Sequence, residues 1–176
     1  TEWARTAPEE IGGCVLVNTS LRPFSPFFHR LRPRNYAALL RLALRPRSAE
    51  AIERTVWRLT SNAPDPRNAV IGAWVAARTR HPVSPINALR QLVAAARYRA
   101  PTVAPNPRIL LLTSQSDQLV DSRCSLAIAR SWHCALAVHP QAGHDLPLDA
   151  PQWVIEQVQQ WLAHTAPSQR APATDP

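Results

Sequence analysis

The sequence predicts an α/β fold: three parallel strands with flanking helices, interrupted by an all-α insertion. Three observations carry this expectation. Three short aliphatic runs, at 13–18, 107–117 and 133–140, each close on small or polar residues, as buried strands do. From residue 101 on, these runs alternate with helical patterns, which implies parallel pairing through crossovers. Between the first and second runs, residues 35–100 show helical spacing in four segments joined by short loops.

Taken in order, "TEWARTAPEEI" reads as the last turns of a helix that Pro8 stops. "GGCVLVNTS" opens on two glycines and is the first strand. "LRPFSPFFHRLRPRN" follows, an irregular excursion whose prolines exclude it from a sheet. The helices come next. "NYAALLRLAL" has a polar start and an apolar face. "SAEAIERTVWRLTS" has Ser48 as its N-cap and Glu50 and Glu53 in its early turns, where the helix dipole favours acids. "DPRNAVIGAWVAART" starts on Asp65 before Pro66, and "SPINALRQLVAAARYR" repeats the device at Ser84 and Pro85. "PRILLLTSQSD" is the second strand, "SRCSLAIARSW" a helix and "HCALAVHP" the third strand. "DAPQWVIEQVQQWLAH" is the last helix, with Val154, Ile155, Val158, Trp161 and Leu162 on its apolar side, Asp149 as cap and Gln152 as capping-box partner. The expected organisation is a partial core at 1–21 and 101–164, a helical insertion at 22–100 and a polar, Pro-rich, disordered tail at 165–176.

Composition narrows the class. The 176 residues suffice for one real core, and 45% apolar residues exclude a chain disordered throughout. No apolar run is long enough to span a membrane, and no basic stretch leads into an apolar signal segment. The chain starts at Thr1 and contains no methionine, so a piece of a longer product is expected. Cys14, Cys124 and Cys134 show no CxxC spacing, which argues against a disulfide framework and a zinc site. They read as small core residues in a reducing compartment, the cytoplasm.

Charge is uneven. All 20 basic residues are arginine. Residues 22–108 hold 16 of them against Glu50, Glu53 and Asp65, a net +13, whereas residues 117–176 carry a net −3. The arginines form no runs of five or more, are not interleaved with aromatics, and accompany no RNP, zinc-finger or helix-turn-helix signature. No nucleic-acid partner is expected.

In parallel sheets, ligands and chemistry lie at the carboxyl ends of the strands. Two residues stand there: Asp117, after "RILLLTSQS", and His144, in "HPQAGHDLPLDAP" after the third strand. An aspartate on a histidine fixes the imidazole tautomer and stabilises the imidazolium, so that the ring can act as general base. Asp121 competes for the cap of the following helix and leaves Asp117 free for this role. His133 and His139 sit at strand ends rather than on one helix face, so no metal is implied, nor any cofactor. His29, His81 and His164 read as solvated or packing residues.

The blocks "SQSDQLV" and "GHDLPLDAP", with the strands and helices around them, resemble the C-terminal part of an α/β-hydrolase: a strand, an acid in a D-x-L-V setting, a helix, a strand, then G-H-D and a last helix. "EWARTAPEEIGGCVLVNTS" resembles the helix after that family's nucleophile elbow and the strand beyond it, and "VNTSLRPFSP" the lead-in to its helical cap. The resemblance extends to about residue 164. It implies that Asp117 is the family acid, that His144 is the family histidine and that 22–100 is a cap, or lid, whose Trp57, Trp74 and Phe27 can line an acyl pocket. It implies a serine hydrolase acting on a small-molecule carboxylic ester. The family nucleophile sits in a G-x-S-x-G turn. The four glycines here, Gly12, Gly13, Gly72 and Gly143, flank no serine at that spacing. The resemblance therefore places the nucleophile upstream of Thr1 and the oxyanion-hole loop further upstream, with this chain alone inactive. Haloalkane dehalogenases and epoxide hydrolases, with an aspartate at the elbow, use the same acid and histidine positions. A third reading is a non-catalytic remnant or interaction module. In each case the outer edge of strand 13–18 is expected to be unpaired and open to self-association.

Overall fold

The computed structural model describes residues 1–44, 48–64 and 68–165. The three aliphatic runs are the strands β1 (Cys14–Val17), β2 (Ile109–Ser114) and β3 (Ala135–His139), in one parallel sheet of order β1-β2-β3. Cys14 stands beside Ile109, and Leu110 beside Ala135.

Side chains alternate across a strand, so this register makes two apolar layers. On one face Cys14, Leu16, Ile109, Leu111 and Leu136 pack beneath α7 (Arg123–Trp132), which buries Ile128, Ala129 and Trp132. On the other face Val17, Leu110, Leu112 and Ala137 meet Trp153, Val154, Val158 and Trp161 of α9 (Pro151–Thr165). β2 is buried at every position. The other two runs, read as buried strands, are only partly so: Val15 is 38% and Val138 45% exposed. The reason is topological, because β1 and β3 are the two edges. Ile155 and Leu162, counted on the apolar side of the last helix, are also half-exposed, since α9 turns its tryptophans to the sheet. Gly13 permits that contact: a Cβ there would stand 2.9 Å from the Trp161 ring.

α1 (Glu2–Thr6) ends before Pro8, as the proline predicts. Between β1 and β2 lie α2 (Phe27–Arg30), α3 (Tyr36–Leu44), α4 (Ala49–Thr60), α5 (Asn68–Arg80) and α6 (Pro85–Arg97). This excursion leaves and returns through one neck, where Arg22 bridges Arg99 and the Ala100 N–H donates to the Arg22 carbonyl at 2.8 Å. Ser48 accepts the Ala51 N–H at 3.2 Å and Ser84 that of Asn87 at 3.3 Å, so α4 and α6 begin on their predicted caps. Asp65 and Pro66, and the expected tail beyond Thr165, lie outside the described residues.

Two local expectations are corrected. Glu50 is an exposed acid paired with Arg54 one turn on, but Glu53 is only 6% exposed and ion-paired to Arg78 of α5. It lies on the same helix face as Val56, Trp57 and Thr60, which turns it inward. Asp149 does not cap α9. It ends α8 (Leu146–Asp149), and its carboxylate accepts from the Ser61 hydroxyl at 2.5 Å, the Asn62 N–H at 2.8 Å and the Gly143 N–H at 2.6 Å. Two donors from distant chain and one from the preceding loop outcompete one helix end.

The cysteines are free thiols. Cys124 is fully buried, and Cys14 and Cys134 are half-buried against the core. Burial pushes the Cys124 and Cys134 thiols up, which keeps them protonated and unreactive. Among the described residues no helix is long and apolar enough to cross a membrane.

Candidate active site

The acid comes first along the chain. β2 stops at Ser114, and the backbone turns over its last carbonyls. Asp117 holds the turn with one oxygen: Oδ1 accepts the N–H groups of Leu119 at 2.7 Å and Val120 at 2.9 Å. Such bonds to the next residues are the habit of aspartate in turns. The second oxygen is thereby aimed away, and Oδ2 meets His144 Nδ1 at 2.8 Å. Asp117 is 2% exposed and the His144 side chain 28%. Asp121 is not the cap of α7, which is Ser122; it stands one residue earlier, and its carboxylate accepts the Arg123 N–H at 3.0 Å and the Arg123 guanidinium at 2.8 Å. That guanidinium holds its carboxyl well below the usual carboxylate range.

The histidine loop leaves β3 at His139 and is shaped by side chains. His139 Nδ1 accepts the N–H groups of Gln141 and Ala142, and its ring meets Trp153 edge-on at 5.1 Å, so this histidine is part of the loop's frame. The Ser114 hydroxyl donates to the Ala142 carbonyl. Asn18, just beyond β1, adopts the left-handed region at φ 44°, which asparagine tolerates better than most residues. Its Nδ2 donates to the carbonyls of Gly143 at 3.2 Å and His144 at 2.7 Å, while its Oδ1 accepts the Ser114 N–H at 2.8 Å. One asparagine thus ties the ends of β1 and β2 to the histidine. Gly143 is required for close approach, because a Cβ there would stand 2.6 Å from the Thr60 carbonyl oxygen and 2.9 Å from the Asn62 nitrogen.

The imidazole lines a cavity of about 380 Å³ together with Val17, Glu53, Val56, Thr60, Trp74 and Pro147. Of the three aromatic residues read as candidate pocket walls, only Trp74 is there. Trp57 is 3% exposed and packs against Trp74 at 5.9 Å. Phe27 is 70% exposed and belongs to a larger cleft of about 1190 Å³ between the neck and α6, which holds neither Asp117 nor His144. The candidate site is taken at the smaller cavity, because His144 lines it while Asp117 lies buried behind the ring, and volume alone performs no chemistry.

Sequence reasoning named Asp117 and His144, which the structure brings together, but named neither Asn18 nor Glu53 for the site. A polar residue closing an aliphatic strand marks Asn18. An acid on the apolar face of α4 marks Glu53. Neither signal names a partner. Chemically, a carboxylate can only accept, so Nδ1 carries the proton and Nε2 is left as the basic nitrogen. Among the described residues no group of three or more His, Cys, Asp and Glu could hold a metal ion.

No family model matches the chain. No curated protein matches it either. Solved structures do. A thermophilic esterase from Thermogutta terrifontis matches at TM-score 0.62 and 21% identity, over 92% of this chain and 59% of its own. A carboxylesterase from Bacillus subtilis matches at 0.64 and 16%, over 92% and 54%. The 2-hydroxy-6-oxo-6-phenylhexa-2,4-dienoate hydrolase of a Rhodococcus strain matches at 0.63 and 18%, over 92% and 59%. The chain therefore spans little more than half the length of the solved structures it matches.

Proposed function

This chain carries the C-terminal part of an α/β-hydrolase fold, and from that premise we propose that it supplies the acid and histidine of a serine hydrolase acting on small carboxylic esters. The observation that carries the reading is the 2.8 Å contact between Asp117 Oδ2 and His144 Nδ1 at the carboxyl ends of adjacent parallel strands. His144 Nε2 takes the proton of a serine hydroxyl as the serine attacks the ester carbonyl, then returns it to the departing alkoxide. Asp117 holds the ring and stabilises the imidazolium. The serine, in its G-x-S-x-G turn, and the oxyanion donors belong to the part of the fold that this sequence does not span. The helical excursion 22–100 is the cap, with α4 and α5 as the near wall of the substrate pocket. The outer edge of β1 is where the elbow-bearing strand would pair. Structural neighbours that are esterases and hydrolases support the class of reaction.

The test is to extend the coding sequence upstream by about 100 codons, express that chain and treat it with a fluorophosphonate probe and a series of p-nitrophenyl esters. Expected are labelling of one serine in a G-x-S-x-G turn, ester turnover, and a loss of several orders of magnitude on His144→Ala. The 176-residue chain, tested alongside, is expected neither to label nor to turn over. An extended chain that contains the turn yet neither labels nor hydrolyses sinks the proposal. An aspartate at the centre of the elbow moves the reading to dehalogenase or epoxide chemistry.

A further inference from the structure

α4 ends at Thr60, and the two residues that follow bond to the loops that carry the two halves of the dyad, not to the dyad itself. Asn62 Nδ2 donates to the Ser116 carbonyl at 3.0 Å, one residue before the acid, and to the Gln141 carbonyl at 2.9 Å, three residues before the histidine. The Asn62 N–H and the Ser61 hydroxyl both donate to Asp149, whose Oδ2 also takes the Gly143 N–H. The Thr60 carbonyl accepts the Asp145 N–H at 2.8 Å, so the residues on both sides of His144 are bonded to this tip or to its partner Asp149. Gly143 lets the two backbones come this close.

We infer that Asn62 and Asp149 are positioning residues, which bolt the C-terminal tip of α4 across the acid loop and the histidine loop and so set the angle at which the His144 ring meets Asp117. The inference adds to the proposed function but does not need it, because it concerns the geometry of the dyad and not turnover. The chemistry of the bolt is specific. Two carbonyl oxygens on different loops face one amide NH2, the only group of an asparagine-sized side chain that can donate to both. Three donors face one carboxylate. α4 also carries Glu53, Val56 and Thr60 on the wall of the cavity. This wall is therefore fixed to the dyad, and any opening of the site has to come from other parts of the excursion.

Asn62 is exposed, and replacing an exposed asparagine ordinarily changes little. That makes the test sharp. The 176-residue chain is labelled with 15N, and the His144 imidazole is read by NMR: its tautomer, and the low-field Nδ1–H proton held by Asp117. Asn62→Asp keeps the shape but turns two donors into acceptors facing two carbonyls. Loss of the low-field proton and a mixed tautomer are expected, with a cooperative thermal melt retained. Asp149→Asn keeps an oxygen for the two backbone N–H groups and an NH2 for the Ser61 oxygen, so the wild-type signal is expected. Asp149→Ala is expected to lose it. If Asn62→Asp does not fold, Asn62→Ala decides by the same signal, since it removes the donors without adding charge. A wild-type His144 signal in folded Asn62→Asp or Asn62→Ala overturns the inference. So does equal loss in Asp149→Asn and Asp149→Ala, because a merely structural weakening would not separate them.

Discussion

At the residue scale, the site rests on side chains whose meaning depends on partners far away in the chain. Gly143 is the clearest case. It needs no unusual dihedral, only the absence of a Cβ that would meet the backbone of Thr60 and Asn62. Gly143→Ala should lower stability by about 1–3 kcal/mol, the usual cost of overpacking. It should also disturb the His144 imidazole signal; an unchanged melt and signal would show that the loop yields freely. Asp121 offers a pH-dependent case. The Arg123 guanidinium, then its backbone N–H and the charge of Arg32, hold its carboxyl low against the opposing effect of burial. A depressed carboxyl stabilises the fold above its ordinary pKa and loses that advantage as pH falls through its lowered value. Asp121→Asn should therefore be less stable than wild type by about 1 kcal/mol near neutrality. The gap in melting temperature should close in strong acid, and a gap independent of pH would contradict this. Asp117 and His144 could be named from the sequence because each follows an aliphatic run, at the carboxyl end of a strand, inside a block that resembles a known fold family. Asn18 and Glu53 carry only faint local signals, because hydrogen bonds between residues 18 and 144, or an ion pair between 53 and 78, leave no sequence pattern that names the partner.

At the element scale, period and punctuation carried the reading. Aliphatic runs became strands, and Ser48 and Ser84 began their helices, since a cap is a contact with residues only three away. What periodicity could not supply was which apolar positions would be covered. β2 and β1 look alike as sequences, yet β2 is buried throughout and β1 is an edge. The distinction is set by strand order, a long-range property. It has a measurable consequence. Leu111→Ala, at the centre of the face under α7, should cost about 2–5 kcal/mol. Val15→Ala on β1, at 38% exposure, should cost well under half of that. Urea denaturation of the two variants checks the ordering; equal losses would mean that β1 is as covered as β2.

At the scale of the whole molecule, the sheet is small and asymmetric. α7 and α9 cover its faces, but nothing among the described residues pairs with the outer edge of β1. An edge is a row of free N–H and C=O groups, and natural proteins blunt it with charge, proline or a bulge. β1 is Cys-Val-Leu-Val and has none of these, and Val138, Ile155 and Leu162 add exposed apolar surface elsewhere on the sheet and α9. The net charge of +8 opposes association, but it is concentrated between residues 22 and 108, mostly in the helical excursion, and leaves the sheet end of the molecule unprotected. The edge should prevail. The 176-residue chain is expected to associate with rising concentration, and light scattering should report masses above 19.5 kDa. Val15→Lys places a charge on the edge strand and should shift the species toward monomer, whereas Leu89→Lys on exposed α6 should not. A monomer at every concentration would show that the edge is already protected. A stronger effect of Leu89→Lys would move the contact surface from the sheet to the helical excursion.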